Sequence, residues 1–404
     1  MRWRAADEYV CVRLGGQSYL LPYGQKIADF HVGLQINESG ILIWNALKDG
    51  AGEEELLELL CRRFEAQGED IPRIRQDLKE FLGKLAAKGV IGQERPGGVF
   101  QGTARPYFFH AGSLRVRYDG PETVCQKYFA GFGCGEGEAD QRVEILPFRP
   151  SATLNGRVLV RGGEFILMEG EESYIMLLPA FPDIYELHVS KDGSLCRIYC
   201  RPEMSGEEQE HIFHAMRFAF LVLAQNRGLC VVHSASLLYR ERAWLFSGKS
   251  GTGKSTHTNL WRDAWGITLL NGDLNCLGIE EGRVWSYGLP WCGTSGIASS
   301  GAHLLGGVVF LRQGKENRVQ ELTEAEKACL LAMRMITPTW TAEMLNRNLA
   351  LSERIIRRCM AARLCCTREP EAAQVMRRYI DEYCGGEQGN SGGRGNEGHG
   401  SGQN

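Results

Sequence analysis

Short apolar segments separated by glycine open the chain, and apolar residues at helical spacing follow them. Residues 9–24 predict two strands around Gly15-Gly16, a pair typical of a tight hairpin, and residues 31–36 predict a third strand. Three later segments repeat apolar residues every three or four positions, which predicts three helices with one buried face each. The residues on those faces are Ile41, Trp44 and Leu47, then Leu56, Leu60 and Phe64, and finally Ile74, Leu78, Phe81, Leu82 and Leu85. A hairpin, a strand and three helices predict a small winged-helix-like unit over residues 1–92.

The pattern changes after this unit. Glycine and proline interrupt the periodicity at residues 93–106, which indicates a linker. Strand-like segments, a long helix and further strand–helix alternation then continue, so we predict a larger domain of mixed strands and helices over residues 107–384. Residues 385–404 hold nine glycines and little that is apolar, which predicts a disordered tail. The predicted fold class is a two-domain protein that combines α+β and α/β structure.

A glycine-rich loop lies inside the larger domain, within the segment FSGKSGTGKSTHTNLW at residues 246–261. Gly248, Gly253, Lys254 and Ser255 match the pattern G-x-x-x-x-G-K-[ST] in full. In such a loop the backbone N–H groups surround phosphate oxygens, the lysine reaches the terminal phosphates, and the hydroxyl can bind Mg²⁺. A chance glycine turn is the alternative, but an apolar strand precedes the loop and a helix should follow it.

The loop therefore predicts a site for ATP with Mg²⁺. The predicted nucleotide-binding residues are Gly248, Lys249, Ser250, Gly251, Thr252, Gly253, Lys254, Ser255 and Thr256. We expect Lys254 to act on the phosphates during catalysis and Ser255 to bind the metal ion.

An acidic residue follows the loop closely. An apolar strand ends in Asn-Gly-Asp at Asp273, 19 residues after Lys254. A carboxylate so near in sequence can face the same phosphates, either as a metal ligand or as the base for an incoming hydroxyl. The alternative is a turn-forming aspartate, because Asn-Gly-Asp favours turns.

Composition and charge narrow the class of protein. Hydrophobic content of 43% and charged content of 24% are ordinary for a globular protein, and a net charge of -3 gives no sign of nucleic-acid binding. No segment has the pattern of a signal peptide or a membrane span. The 14 cysteines are scattered without a zinc-type spacing, so we expect reduced thiols. We therefore expect a cytoplasmic protein that binds neither nucleic acid nor a membrane.

The segments HSASLLYRERAWLFSGKSGTGKSTHTNLW, LLNGD and YGLPWCG together resemble the kinase domain of HPr kinase and its relatives, a group with the phosphoenolpyruvate carboxykinase fold. The likeness covers about residues 107–384 and is strongest over 229–293. It is similar to the members that phosphorylate serine in precursors of ribosomally made, post-translationally modified peptides.

The resemblance implies roles for single residues. Lys254 and Ser255 would hold the phosphates and the metal, Asp273 would take the acidic position of the second motif, and His233 would match an upstream histidine near the active site. HPr kinase has paired aspartates at the second motif, whereas this sequence has Asp273 alone. Whether Asp273 is the metal ligand or the base therefore stays open. The single aspartate also weakens the case for the reverse reaction, in which phosphate is removed. For His233 the alternative is a hydrogen-bonded core histidine.

The first unit resembles a PqqD-like domain over about residues 9–92, on the segment from INESG to KGVIG. Such domains bind leader peptides, and the resemblance implies that a peptide adds as a strand beside the third strand and against the third helix. The implied peptide-binding residues are Val32, Leu34, Ile36, Arg75 and Lys79. A DNA-binding winged helix is the alternative, but no helix carries the dense basic face that phosphate contacts need.

The sequence thus predicts a kinase that moves the terminal phosphate of ATP to a serine or threonine hydroxyl of a precursor peptide. Holding the leader in one domain makes delivery of the hydroxyl to the other an intramolecular step. One alternative is a nucleotide-gated scaffold that presents peptides to other enzymes. A carboxykinase-type enzyme is a weaker one, because its basic substrate motifs are missing. The oligomeric state stays open, a homo-oligomer included.

Overall fold

The computed structural model describes residues 2–6, 9–23, 33–94, 105–150 and 156–391. The chain divides into two compact units, residues 1–98 and 99–404. The architecture is mixed α/β, with a small N-terminal unit and a larger, sheet-rich C-terminal unit.

The N-terminal unit holds two three-stranded sheets and three helices in its described residues. Its strands are β1 (Arg2–Ala5), β2 (Tyr9–Leu14), β3 (Gln17–Pro22), β4 (Leu34–Ile36), β5 (Ala51–Gly52) and β6 (Ile91–Glu94), and its helices are α1 (Glu38–Lys48), α2 (Glu53–Arg63) and α3 (Ile71–Ala87). The strand orders are β5-β1-β6 and β2-β3-β4. The hairpin prediction is confirmed, with Gly15 and Gly16 at φ of 56° and 81° between β2 and β3.

The third predicted strand is shorter than expected. β4 starts at Leu34, and Val32, one of the predicted peptide contacts, lies outside the described residues. Strands β1, β5 and β6 were not expected from the apolar pattern, because pairs this short form through tertiary contacts rather than through local preference.

The three helices pack around one core. Asn37 caps α1 by accepting a hydrogen bond from the backbone N–H of Gly40 at 2.9 Å. The buried apolar residues include Trp44, Leu47, Leu56, Leu60, Leu78, Leu82 and Leu85. Phe64 departs from the expectation: α2 ends at Arg63, so Phe64 leaves the helical face and is 46% exposed.

The C-terminal unit begins with an eight-stranded sheet. Its strands are β7 (Tyr107–Ala111), β8 (Leu114–Asp119), β9 (Gln141–Leu146), β10 (Arg157–Arg161), β11 (Ile166–Glu169), β12 (Ser173–Leu177), β13 (Ile184–Ser190) and β14 (Leu195–Cys200). They lie in the order β10-β11-β12-β13-β14-β9-β8-β7. The long apolar helix α4 (Glu210–Asn226) contributes most of its length to the core that this sheet forms.

The remaining strands form a second sheet system that carries the glycine-rich loop. They are β15 (Cys230–Tyr239), β16 (Arg242–Ser247), β17 (Leu269–Asn271), β18 (Leu274–Glu280), β19 (Arg283–Tyr287), β20 (Ala302–Gln313), β21 (Arg318–Gln320) and β22 (Met360–Cys366). The first half of β15 pairs with β18 and its second half with β16. β16, β20 and β22 run parallel, so their carboxyl ends meet at one edge of the sheet.

Four helices accompany this sheet: α5 (Lys254–Trp265), α6 (Glu324–Ala332), α7 (Ala342–Ile356) and α8 (Pro370–Ser391). The last helix corrects the predicted boundary of the tail, because it continues past residue 384 to Ser391. Its apolar face, with Met376, Ile380 and Cys384, packs into the core beside β22, which favours continuation of the helix. The rest of the predicted tail lies outside the described residues. Within the part of the chain that the structure describes, no helix combines the length and apolar character needed to cross a bilayer.

Candidate functional site

The glycine-rich loop connects β16 to α5 at the edge where the parallel strands end. Gly253 immediately precedes the helix at φ of 96°, in the left-handed region that favours glycine. Because α5 begins at Lys254, the N–H groups of its first turn have no partner within the helix and face the end where an anion is stabilised. The local structure predicted for a phosphate-binding loop is therefore present.

Lys254 is nearly buried, with 9% of its surface exposed. Burial lowers the pKa of Lys254, the charge of Asp273 raises it again, and the charge of Arg334 lowers it. An ammonium with so little water around it gains from an anionic ligand more strongly than an exposed lysine does. Ser255 and Thr256, the next two residues, are exposed at the start of the helix.

Asp273 and His233 form a contact at the same edge. Nε2 of His233 lies 3.0 Å from Oδ1 of Asp273, and Nε2 must donate because a carboxylate only accepts. The hydrogen bond from His233 lowers the pKa of Asp273 most, and the charges of His233, Lys254 and Arg217 lower it further against the opposing effect of burial. Asp273 is thus held as a carboxylate that interacts with Lys254. The structure thus places His233 in contact with Asp273 and brings Lys254 within the electrostatic influence of that carboxylate.

A buried polar network holds the turn that carries Asp273. Oδ1 of Asn271 accepts hydrogen bonds from the backbone N–H groups of Asp273 at 2.9 Å and of Leu274 at 3.0 Å. Nδ2 of Asn271 donates to the carbonyl of Leu289 at 3.0 Å, and its backbone N–H donates to Ser236 Oγ at 3.1 Å. The backbone N–H of Ser234 in turn donates to the carbonyl of Asp273 at 2.9 Å. These bonds set the turn against β15, the strand that carries His233.

We expect Asn271→Ala to lower the free energy of unfolding by about 1–3 kcal/mol, because it leaves buried backbone groups without partners. The turn also loses its anchor, so turnover should fall more than ATP affinity does. Urea denaturation and ATP titration measure the two effects. Asn346→Ala, which changes an exposed asparagine of α7, is the matched control. Equal stability of the Asn271 and Asn346 variants would contradict this role for Asn271.

The loop between β19 and β20 covers Asp273. Gly293 has a φ of 59°, and a Cβ atom there would lie 3.0 Å from Cγ of Asp273, so the close approach requires glycine. Trp291 anchors the loop, since its Nε1 donates to the carbonyl of Phe213 in α4 at 2.9 Å. The YGLPWCG segment thus forms part of the wall around the carboxylate.

Two further cations lie near the site and were not expected from the sequence. Burial lowers the pKa of Arg217 in α4, while the charge of Asp273 raises it. Arg334 repels Lys254 as a like charge and so lowers the pKa of Lys254, and the backbone carbonyl of Arg334 accepts the backbone N–H of His233 at 2.9 Å. Arg217 could have been recognised in the sequence as a charged residue within the apolar segment of α4. Nothing in the sequence around Arg334 distinguishes that residue.

The predicted metal residues offer only part of a metal site. Among the described residues no group of three or more His, Cys, Asp or Glu side chains could hold a metal ion. Mg²⁺ commonly takes one or two carboxylates and completes its shell with substrate phosphates and water. One carboxylate, Asp273, and one hydroxyl, Ser255, therefore fit Mg²⁺ that arrives with a nucleotide rather than a resident metal.

The predicted peptide-binding residues of the N-terminal unit have different environments. β4 pairs with β3 on one side and, among the described residues, with no strand on the other. Ile36 is 6% exposed and belongs to the core, so only its backbone can meet a peptide at this edge, and Leu34 packs partly against the same core. Arg75 forms an ion pair with Glu54, which also interacts with Lys79. A peptide carboxylate would compete with Glu54 for these cations.

Comparison with known families identifies the N-terminal unit. Residues 29–91 match the family model described as "Coenzyme PQQ synthesis protein D (PqqD)". The predicted PqqD domain is confirmed, within the range of about 9–92 that the resemblance covered. No curated protein matches the sequence.

A structural neighbour is the HPr(Ser) kinase/phosphatase from Coxiella burnetii, at 12% identity. The match covers 41% of this chain and 99% of that one, with a TM-score of 0.25.

Proposed function

We propose that the protein is an ATP-dependent kinase that phosphorylates a serine or threonine hydroxyl of a precursor peptide whose leader is held by the N-terminal unit. The observation that carries the proposal is the contact of Asp273 with His233 at 3.0 Å on β15, where the next residue, Ser234, pairs with Ser247 directly before the glycine-rich loop. A phosphate-binding lysine and an ionised carboxylate in one site are the components that phosphoryl transfer needs.

Binding of the nucleotide would use the backbone and two side chains. The N–H groups of residues 248–256 would surround the phosphate oxygens, and Lys254 would neutralise the terminal phosphates. Ser255 and Asp273 would hold Mg²⁺, which supplies charge neutralisation on the phosphate oxygens when bound.

Transfer would then proceed by in-line displacement. The hydroxyl oxygen of the peptide forms a bond to the γ-phosphorus, and the bond from that phosphorus to the β–γ bridging oxygen breaks, which leaves ADP. The hydroxyl proton would pass to Asp273 if that residue acts as the base. The hydrogen bond from His233 would keep the carboxylate oriented in either of its two roles, base or metal ligand.

The N-terminal unit would supply specificity. A leader peptide would add, through main-chain hydrogen bonds, to the edge of β4 at which no strand of the described residues pairs, a mode that takes its selectivity from alternate side-chain contacts. A tethered substrate reaches effective concentrations on the order of millimolar, so the catalytic site needs little affinity of its own.

A nucleotide-gated scaffold is the second candidate, and the single aspartate of the second motif favours it. Incubation of the full chain with Mg-ATP and precursor peptides encoded beside its gene separates the two. A mass gain of one phosphate on a peptide supports the kinase. Peptide binding that depends on ATP without any mass gain supports the scaffold.

We expect removal of the leader to change KM much more than kcat. The full-length precursor should have a KM lower by about 10²-fold or more than the same peptide without its leader, because only the former is delivered intramolecularly. Phosphate incorporation at varied peptide concentration measures both constants on the intact protein. A precursor with a scrambled leader of equal length is the control, and equal KM values for all three peptides would argue against leader recognition.

A further inference from the structure

The strand ends around the glycine-rich loop lie in a definite order along the sheet edge. Asn271 at the end of β17 pairs with Ser236 of β15, and Ser234 of β15 pairs with Ser247 at the end of β16. On the other side of β16 come the end of β20 and then the end of β22, where Gln313 pairs with Cys366. Asp273 and His233 therefore lie on one side of the loop, and the ends of β20 and β22 lie on the other.

A cavity of about 340 Å³ occupies that second side. Thr252 and Gly253 of the loop form one wall, and Leu260 of α5 forms another. The ends of β20 and β22 with the residues that follow them, 313–314 and 366–369, close the cavity. Lys254 and Asp273 are outside its lining. Pockets for small molecules have volumes of about 300–1,000 Å³, and in α/β sheets they lie beyond the carboxyl ends of the strands.

One lining side chain has an unused polar atom. His257 is 3% exposed, and its Nε2 accepts a hydrogen bond from Nε1 of Trp261 at 3.3 Å. Indole nitrogen only donates, so the proton of the neutral imidazole is on Nδ1. Burial lowers the pKa of His257 to about 4, which keeps the ring neutral. Nδ1 has no hydrogen-bond partner among the described residues, so the ring retains a donor for an acceptor that enters the cavity.

We infer that this cavity holds the ribose and base of the nucleoside triphosphate whose phosphates lie on the glycine-rich loop. The inference rests on the proposed nucleotide binding and adds the direction of the ligand. A nucleoside triphosphate bound along the loop has two ends, the terminal phosphate and the nucleoside, and each extends beyond one side of the loop. The terminal phosphate points toward the carboxylate at Asp273, so the nucleoside leaves on the side of β20 and β22, where Leu260 offers an apolar contact for a base.

The test separates the nucleoside from the phosphates. Leu260→Trp fills the cavity, and calorimetry measures the binding of Mg-ATP and of inorganic tripolyphosphate with Mg²⁺ to the full chain. We expect the Kd for ATP to rise at least about tenfold, while the Kd for tripolyphosphate stays within about threefold. Leu345→Trp, at a 44% exposed position of α7, is the matched control and should change neither constant.

Two results would overturn the inference: an unchanged ATP affinity in a folded Leu260→Trp protein, or an equal loss for both ligands. If the unaltered protein binds neither ligand, the proposed nucleotide binding itself fails, which is a different outcome. If the Leu260→Trp protein does not fold, photolabelling of the unaltered protein with 8-azido-ATP tests the same inference. Label that ATP competes away should lie within residues 256–260, 313–314 or 366–369, and label confined to other segments counts against the cavity.

Discussion

Asp273→Asn should bind Mg-ATP nearly as well as the unaltered protein and transfer phosphate about 10²- to 10⁴-fold more slowly. The substitution keeps the shape of the side chain and an oxygen that accepts the hydrogen bond from His233. It removes the negative charge that would accept a proton or hold Mg²⁺. Fluorescence titration with ATP and single-turnover phosphate transfer measure binding and chemistry separately.

Asp263→Asn is the matched control, since Asp263 lies near the end of α5 and its side chain is 63% exposed. That variant should keep both ATP affinity and rate. Transfer at an undiminished rate by Asp273→Asn would remove Asp273 from the mechanism and leave nucleotide binding as the function of the site.

Lys254→Ala should differ from Asp273→Asn by losing nucleotide affinity as well as transfer. A hydrogen bond to a charged group contributes about 1.5–3 kcal/mol, which corresponds to a loss of roughly 10- to 150-fold in ATP affinity. The folded state should tolerate the change, because burial already disfavours the charged form of Lys254. Equilibrium binding of ATP and thermal unfolding without ligand are the two measurements.

Lys191→Ala, at a surface lysine with 42% of its side chain exposed, should bind ATP as the unaltered protein does. If Lys254→Ala also binds ATP normally, the triphosphate is not held by the glycine-rich loop. The two variants together distinguish a site that binds ATP and transfers phosphate from a site that only binds ATP. Asp273→Asn should lose transfer alone, whereas Lys254→Ala should lose both binding and transfer.

Features that depend on neighbouring residues could be predicted from the sequence. Gly15-Gly16 specified the hairpin because two consecutive residues adopt positive φ there. Apolar spacing identified α1, α2 and α3, and Phe64 was misplaced only because α2 ends one residue earlier. Gly253 and Lys254 predicted a loop between a strand and a helix, which is what the structure has.

Other features depended on residues far apart in the chain. Whether His233 was a core histidine or part of the site could not be decided locally, because the pairing of His233 in β15 with Leu274 in β18 brings its partner Asp273 to it. The PqqD resemblance implied Ile36 as a peptide contact, but the packing of α1 against β4 places its side chain in the core.

By itself the amino-acid sequence determined the glycine-rich loop between a strand and a helix, and the helices of the N-terminal unit. The tertiary structure alone decided that Asp273 contacts His233 beside the loop that carries Lys254, and that a cavity lies on the other side of that loop. The physical reason is how far apart along the chain the interacting residues lie. Backbone conformation and helical periodicity are set within a few residues, whereas the distance between charges and the space between strand ends follow from sheet register.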